Sequence, residues 1–224
     1  MSRYAVIAIS VAAMSLVAPL GTTPASAQSG TIIASDNFNR TNESPFGIGG
    51  NWGRTVAGNY DGYSELTGAQ VHSASNEGIY YWQGAGTFSI TRQFARQRVV
   101  QKDGELGLVL LGGLDHAIMV GWGPPGVGNT VYIYWYSNGL DRGQLTTAPS
   151  TLTNGDIIEA VLDGGVIYAR VNGVTVASVA NTTTLTSGTP GFITYLNPGL
   201  PGQVSILDDW EAGTPTSYSI SGTI

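Results

Sequence analysis

Short runs of β-branched and aromatic residues recur along the chain between Gly, Asn, Asp and Pro, and no stretch keeps the apolar spacing of an amphipathic helix. The alternation predicts strands over Ile32–Phe38, Ser64–Thr67, Gly78–Trp82, Thr87–Phe94, Glu105–Leu111 and Ala117–Trp122. It predicts six more over Val131–Tyr136, Ile157–Leu162, Val166–Val171, Val174–Val179, Gly191–Tyr195 and Val204–Trp210. Asn172-Gly173 suits a tight hairpin, because both positions accept the positive φ that matches the twist of flanking strands. Asp163-Gly164-Gly165 closes the preceding hairpin for the same reason, giving a three-stranded meander from Ile157 to Val179. About twelve strands in one open sheet would leave a wide apolar face in water, so the expected class is all-β, with two packed antiparallel sheets.

The first 27 residues read as an export signal rather than as part of that sandwich. Arg3 supplies a positive start, Ala5 to Leu20 an apolar run, and Ala25-Ser26-Ala27 a small-residue cleavage site that predicts a mature start at Gln28. The apolar core is shorter than the roughly 20 residues of a membrane span, and Pro19 and Gly21 end it. The expectation is a secreted or cell-surface protein with no membrane insertion of the mature chain. Residues 28–212 form the expected domain, and Gly213 to Ile224, rich in Ser and Thr, is a tail that reads equally as linker, frayed end or edge strand.

Composition narrows the function. The 32 glycines show no triplet period, which excludes collagen, and 42% hydrophobic residues exclude a disordered chain. A formal charge of −6 with a single lysine, Lys102, lacks the basic stripe that phosphate neutralisation needs, so no nucleic-acid partner is expected. With no cysteine, an exported chain has neither disulfide framework nor thiol nucleophile. His72 and His116, the only histidines, have no partner at the spacing that aims two ligands at one metal.

The segments SDNFNRTNESPFGIGGNWG from Ser35, GDIIEAVLDGGVIYARVNGVTVASV from Gly155, SGTPGFITY and SILDDWEAG resemble bacterial members of the concanavalin A-like lectin/glucanase superfamily, in particular its laminin-G-like jelly rolls. The resemblance implies a jelly-roll sandwich of two curved sheets, one concave and often ligand-bearing, with first and last strands side by side. It also implies a scaffold that hosts lectins, carbohydrate-binding modules, glycosidases, polysaccharide lyases and adhesive domains, so fold alone selects no function. Structural calcium near the strand seam of such relatives makes Asp36 and Asp208 candidate metal ligands, with no cofactor otherwise required.

Chemistry is sparse. The Glu-x-Asp-x-x-Glu strand of the superfamily's glucanases is missing; Asp103-x-Glu105 lacks the third acid and reads as a solvated turn, so no catalytic residue is assigned. Arg92, Arg96 and Arg98 share a strand face by period two and form the one basic spot, either a solvated face or, through Arg92, an anionic glycan contact. The aromatic residues carry more, since sugar C–H faces stack on flat rings while hydroxyls need polar partners. Tyr132, Tyr134 and Tyr136 share one strand face with Asn138 in the following turn, and Ile133 and Trp135 take the other. Tyr80, Trp82 and Trp122 complete the candidate ligand set, while Phe38, Trp52 and Trp210 read as core. The expected function is non-catalytic, lectin-like glycan binding; the alternatives are a polysaccharide-degrading enzyme and a structural or adhesive surface domain.

Overall fold

A computed structural model describes residues 30–43, 48–56, 62–75, 77–123, 129–196 and 204–216. The export signal and the end of the tail lie outside them. Fifteen strands occur among the described residues, all paired antiparallel, and they form two sheets. The first runs β13 (Val174–Ala180), β12 (Val166–Val171), β11 (Ile157–Asp163), β6 (Arg92–Lys102), β15 (Ser205–Pro215), β4 (Gln70–Ser73) and β3 (Ser64–Thr67), with β1 (Gly30–Asp36) also on β15. The second runs β10 (Leu140–Pro149), β9 (Thr130–Ser137), β8 (His116–Trp122), β7 (Glu105–Gly112), β14 (Thr189–Tyr195), β5 (Glu77–Trp82) and β2 (Trp52–Arg54). No described helix is long and apolar enough to cross a membrane.

The hairpins follow their turn residues. Asn172 and Gly173 have φ of 51° and 79°, and Gly164 and Gly165 have 60° and 83°, which gives the expected β11–β12–β13 meander. The strand expected from Thr87 starts only at Arg92 and then continues to Lys102. The Ser89 hydroxyl accepts from the amides of Thr91 and Arg92, folding the preceding residues into a bend. Three strands escape the periodicity: β2 and β4 are three and four residues long. The third, β10, is an edge strand with Gly143 and Pro149 and two register irregularities against β9. The terminal strand passes through Gly213 to Pro215, so three residues of the expected tail are strand, paired with Gly30 to Ile32.

Strand alternation sends Leu106, Leu108, Leu110, Ile118, Val120, Val131 and Ile133 of the second sheet inward against Val99, Ile158, Ala160, Leu162 and Ile167 of the first. One end of this layer is aromatic. Trp52 packs edge-on to Trp210 at 4.6 Å and to Phe192 at 4.7 Å, Trp82 stacks on Trp210 at 5.4 Å, and Phe38 stacks on Trp52. These contacts join β2, β5 and β14 to β15, so Trp210 locks the two sheets together. Within the second sheet, Gly191 lets β14 lie close along β5: a Cβ there would lie 1.8 Å from the Tyr80 carbonyl oxygen.

Trp210→Ala is expected to lower unfolding free energy by about 3–5 kcal/mol, since it opens a large-side-chain cavity at the inter-sheet lock. Urea unfolding followed by circular dichroism checks this; a loss under about 1 kcal/mol would place the lock elsewhere.

Candidate functional site

The outer face of the second sheet carries a small apolar cluster of its own. Ile79, Val109, Ala117, Met119, Tyr136 and Ile193 are buried together there, with Tyr134 packed against them. Tyr134 on β9 donates its hydroxyl to Glu77 Oε1 on β5 at 2.6 Å. Those strands are four positions apart, about 19 Å on a flat sheet. The bond therefore closes only because the sheet curls, which makes this face concave.

A pocket of about 480 Å³ lies in the concavity. Register assembles its floor: Tyr195 on β14 stands opposite Glu77 on one side and Glu105 on the other. All three line the pocket, and Tyr132 and Tyr134 from β9 face them, with Asp141 and Gln144 from β10 at the rim. The Tyr132 ring lies on Gly121, where a Cβ would come within 2.5 Å of it, and tilts at 45° to Tyr134 with centroids 5.4 Å apart. Its hydroxyl is buried without a hydrogen-bond partner among the described residues.

The two glutamates resist ionisation. Burial pushes Glu77 up to about 7, with the Asp141 charge adding to it and the Tyr134 hydrogen bond opposing it. Burial pushes Glu105 up to about 8, reinforced by the Glu77 charge and opposed by Lys102. Lys102 is itself lowered to about 8 by burial, and its ammonium donates to the Gly123 carbonyl. The pocket is thus lined by carboxyl groups that hold protons near neutrality, beside phenol rings and an amide.

The structure redistributes the residues expected to bind ligand. Tyr132 and Tyr134 line the pocket, but Tyr136, on the same strand face, is sealed in the apolar cluster. Asn138 is exposed in the β9–β10 turn with φ of 55° and does not line the pocket. Tyr80, Trp82 and Trp122 are corrected to core residues, with exposures of 1%, 7% and 1%. Each is an odd number of residues from a groove-facing neighbour, Glu77 or Gly121, and period two turns it to the inter-sheet layer. Arg92 belongs to the other sheet, where it bonds Asp163 at 2.8 Å and the Pro215 carbonyl at 2.7 Å. Arg96 pairs with Glu211, and Arg98 with Asp208 and Asp209, so the basic spot is neutralised.

The carboxylates of Asp36 and Asp208 are both engaged by groups of the protein. The Asp36 carboxylate accepts from Arg40, the Phe38 amide and Trp52 Nε1, and Asp208 bonds Arg98 and the Asp209 amide. Among the described residues no group of three His, Cys, Asp or Glu is placed to hold a metal. The missed site residues are Glu77, Glu105, Asp141, Gln144 and Tyr195. For Glu105 a signal existed, because it shares parity with groove-facing Val109; only Asp103 is the solvated turn residue. Glu77 likewise shares parity with Ile79.

No protein-family model and no curated protein matches the chain. Among solved structures it is similar to carbohydrate-binding module CBM66 from Bacillus subtilis, with TM-score 0.53 and 10% identity, covering 75% of this chain and 99% of that one. It is similar to the carbohydrate recognition domain of Emp47p, with TM-score 0.51 and 11% identity, covering 83% and 98%. It is also similar to the catalytic domain of an endo-1,3-β-glucanase from Thermotoga petrophila RKU-1, with TM-score 0.52 and 11% identity, covering 85% and 100%. The chain therefore has the concanavalin A-like jelly-roll fold. Two recognition domains and one catalytic domain share it, so its chemistry must be argued from the concave pocket.

The glutamate pair makes stability depend on pH. The folded chain binds these protons more tightly than an unfolded one, whose glutamates titrate near 4.5. Their favourable contribution is complete below that value and is lost as pH rises toward about 7 for Glu77 and about 8 for Glu105. Glu105→Gln is expected to match the parent chain at pH 4 and to melt a few degrees higher at pH 8, at roughly 2–4 °C per kcal/mol. Calorimetry over that range checks it; parallel melting profiles for the two proteins would contradict it.

Proposed function

We propose that this chain is an exported glycan-binding module whose saccharide seat is the concave pocket. The observation that carries the reading is the pairing, in one pocket, of phenol rings from Tyr132, Tyr134 and Tyr195 with hydrogen-bonding groups from Glu77, Glu105, Asp141 and Gln144. Rings of this kind cover the apolar faces of sugars while carboxyl, phenol and amide groups take the hydroxyls. A glutamic acid held neutral is suited to this, because it both donates and accepts. The carbohydrate-binding modules and recognition domains on the same fold support a glycan as partner. Cleavage after Ala27 delivers the module outside the cell, where such polymers are met.

Affinity electrophoresis of residues 28 to 224 through gels of neutral β-glucans, mannans and xylans tests this reading. Retardation is expected in at least one gel, and Tyr132→Ala is expected to weaken it about tenfold, corresponding to about 1.4 kcal/mol of stacking and hydrogen bonding. Equal mobility of both proteins in every gel would refute the assignment of the pocket.

The Glu77–Glu105 pair supports a second reading, glycoside hydrolysis. Their strands are separated only by β14, so the Cα atoms stand about 10 Å apart, and on a concave face the carboxyl groups converge. Inverting enzymes hold their acid and base roughly 6.5–9.5 Å apart. Release of reducing ends from the same polysaccharides, abolished in both Glu77→Gln and Glu105→Gln, would favour hydrolysis; retention without release favours binding.

A further inference from the structure

The acids of the two sheets are treated differently. On the first sheet Asp163, Glu159, Glu211 and Asp208 each face an arginine, respectively Arg92, Arg170, Arg96 and Arg98. In the pocket, Glu77, Glu105 and Asp141 come together with no Lys, Arg or His among the lining residues. Lys102, the basic group whose charge reaches Glu105, points its ammonium at the Gly123 carbonyl instead. The pocket is therefore a space of about 480 Å³ with an excess of acid and no internal counterion among its lining residues.

Resting on the reading of this pocket as a saccharide seat, we propose that its preferred unit is an amino sugar with a free, protonated amine. The ammonium sits between Glu77 and Glu105, and the sugar ring sits against Tyr132 and Tyr134. The chemistry of both sides fits. An ammonium offers three donors to carboxylates and is attracted to the faces of phenol rings. A metal cation suits the place less, since among the described residues no three ligating side chains converge on one point. A uronate or sulfated sugar would add a further anion to a pocket whose glutamates already resist ionisation, and an acetylated amine would bring no cation to favour their charged forms. Ionisation of Glu77 and Glu105, opposed by burial in the empty pocket, is favoured once a cation lies between them.

Isothermal titration of residues 28 to 224 at neutral pH, with four oligosaccharides of equal length, tests the proposal. The probes are β-1,4-linked glucosamine, its N-acetylated counterpart, β-1,4-linked glucose and oligogalacturonate. The glucosamine oligomer is expected to bind about tenfold tighter than the acetylated and glucose oligomers, with oligogalacturonate weakest. Glu77→Gln and Glu105→Gln, checked for unchanged circular dichroism, are expected to bring the ratio of glucosamine-oligomer to glucose-oligomer affinity below about threefold, whatever each does to the two affinities separately. If the glucosamine oligomer binds no better than its neutral counterparts, or keeps its advantage in both variants, the amine assignment fails while the glycan reading stands. If none of the four binds, the amine assignment fails as well, and the neutral-polysaccharide gels decide the broader reading separately.

Discussion

The curl of the second sheet is the constraint on which the site depends. A flat seven-stranded sheet would keep β5 and β9 too far apart for side chains to meet, yet Tyr134 and Glu77 are hydrogen-bonded. Two features accommodate that curvature on opposite faces. Inside, the aromatic lock around Trp210 draws β2, β5 and β14 down onto β15, while Gly191 lets β14 and β5 lie backbone against backbone within the sheet. Outside, Gly121 leaves room for the Tyr132 ring to lie on the sheet rather than stand off it. Ile79, Val109, Met119 and Ile193 then fill one part of the concavity, and the part they leave open is the pocket.

The two outer faces show how a chain with only 11% charged residues uses them. On the first sheet, antiparallel register sets Arg92 opposite Asp163, Arg96 opposite Glu159 and Glu211, and Arg98 opposite Asp208. Cross-strand pairs of this kind contribute modestly to pairing and leave little net charge to present to a ligand. The second sheet applies the same geometry without the complement, because Glu77 and Glu105 flank Tyr195 and repel one another across it. The acidic balance visible in the composition is thus not evenly spread over the fold.

Much of this fold was legible from residue order. The turn pairs Gly164-Gly165 and Asn172-Gly173, the alternation of Val166 to Val171, and the side-by-side first and last strands all appear as expected. What was not legible has physical causes. β10 is held by its neighbour rather than by its own pattern, and the Ser89 bend rests on side-chain capping that periodicity does not register. For the site, period two separated Tyr132 and Tyr134 from Ile133 correctly, but parity alone does not say which face of Tyr80, Trp82 or Trp122 is covered by a second sheet. Nor does it show that a concave face buries part of its own surface, which is why Tyr136 parted from the other two tyrosines. The pocket acids come from β5 and β7 and meet across β14, a juxtaposition with no local signature.

A burial cost retained in a structure asks for a reason. Leucine or glutamine at 77 and 105 would suit the apolar cluster or the Tyr134 hydroxyl without opposing burial, and no arginine is spent on either acid although four serve the other sheet. Packing therefore does not account for two carboxyl groups here. The proposed saccharide seat offers a reason, because groups that resist ionisation in the free protein gain most when a complementary partner arrives. The reason holds for either proposed partner, a bound saccharide or a glycosidic bond receiving a proton: in both proposals the acids of the concave face, rather than the tyrosines alone, set what the pocket accepts.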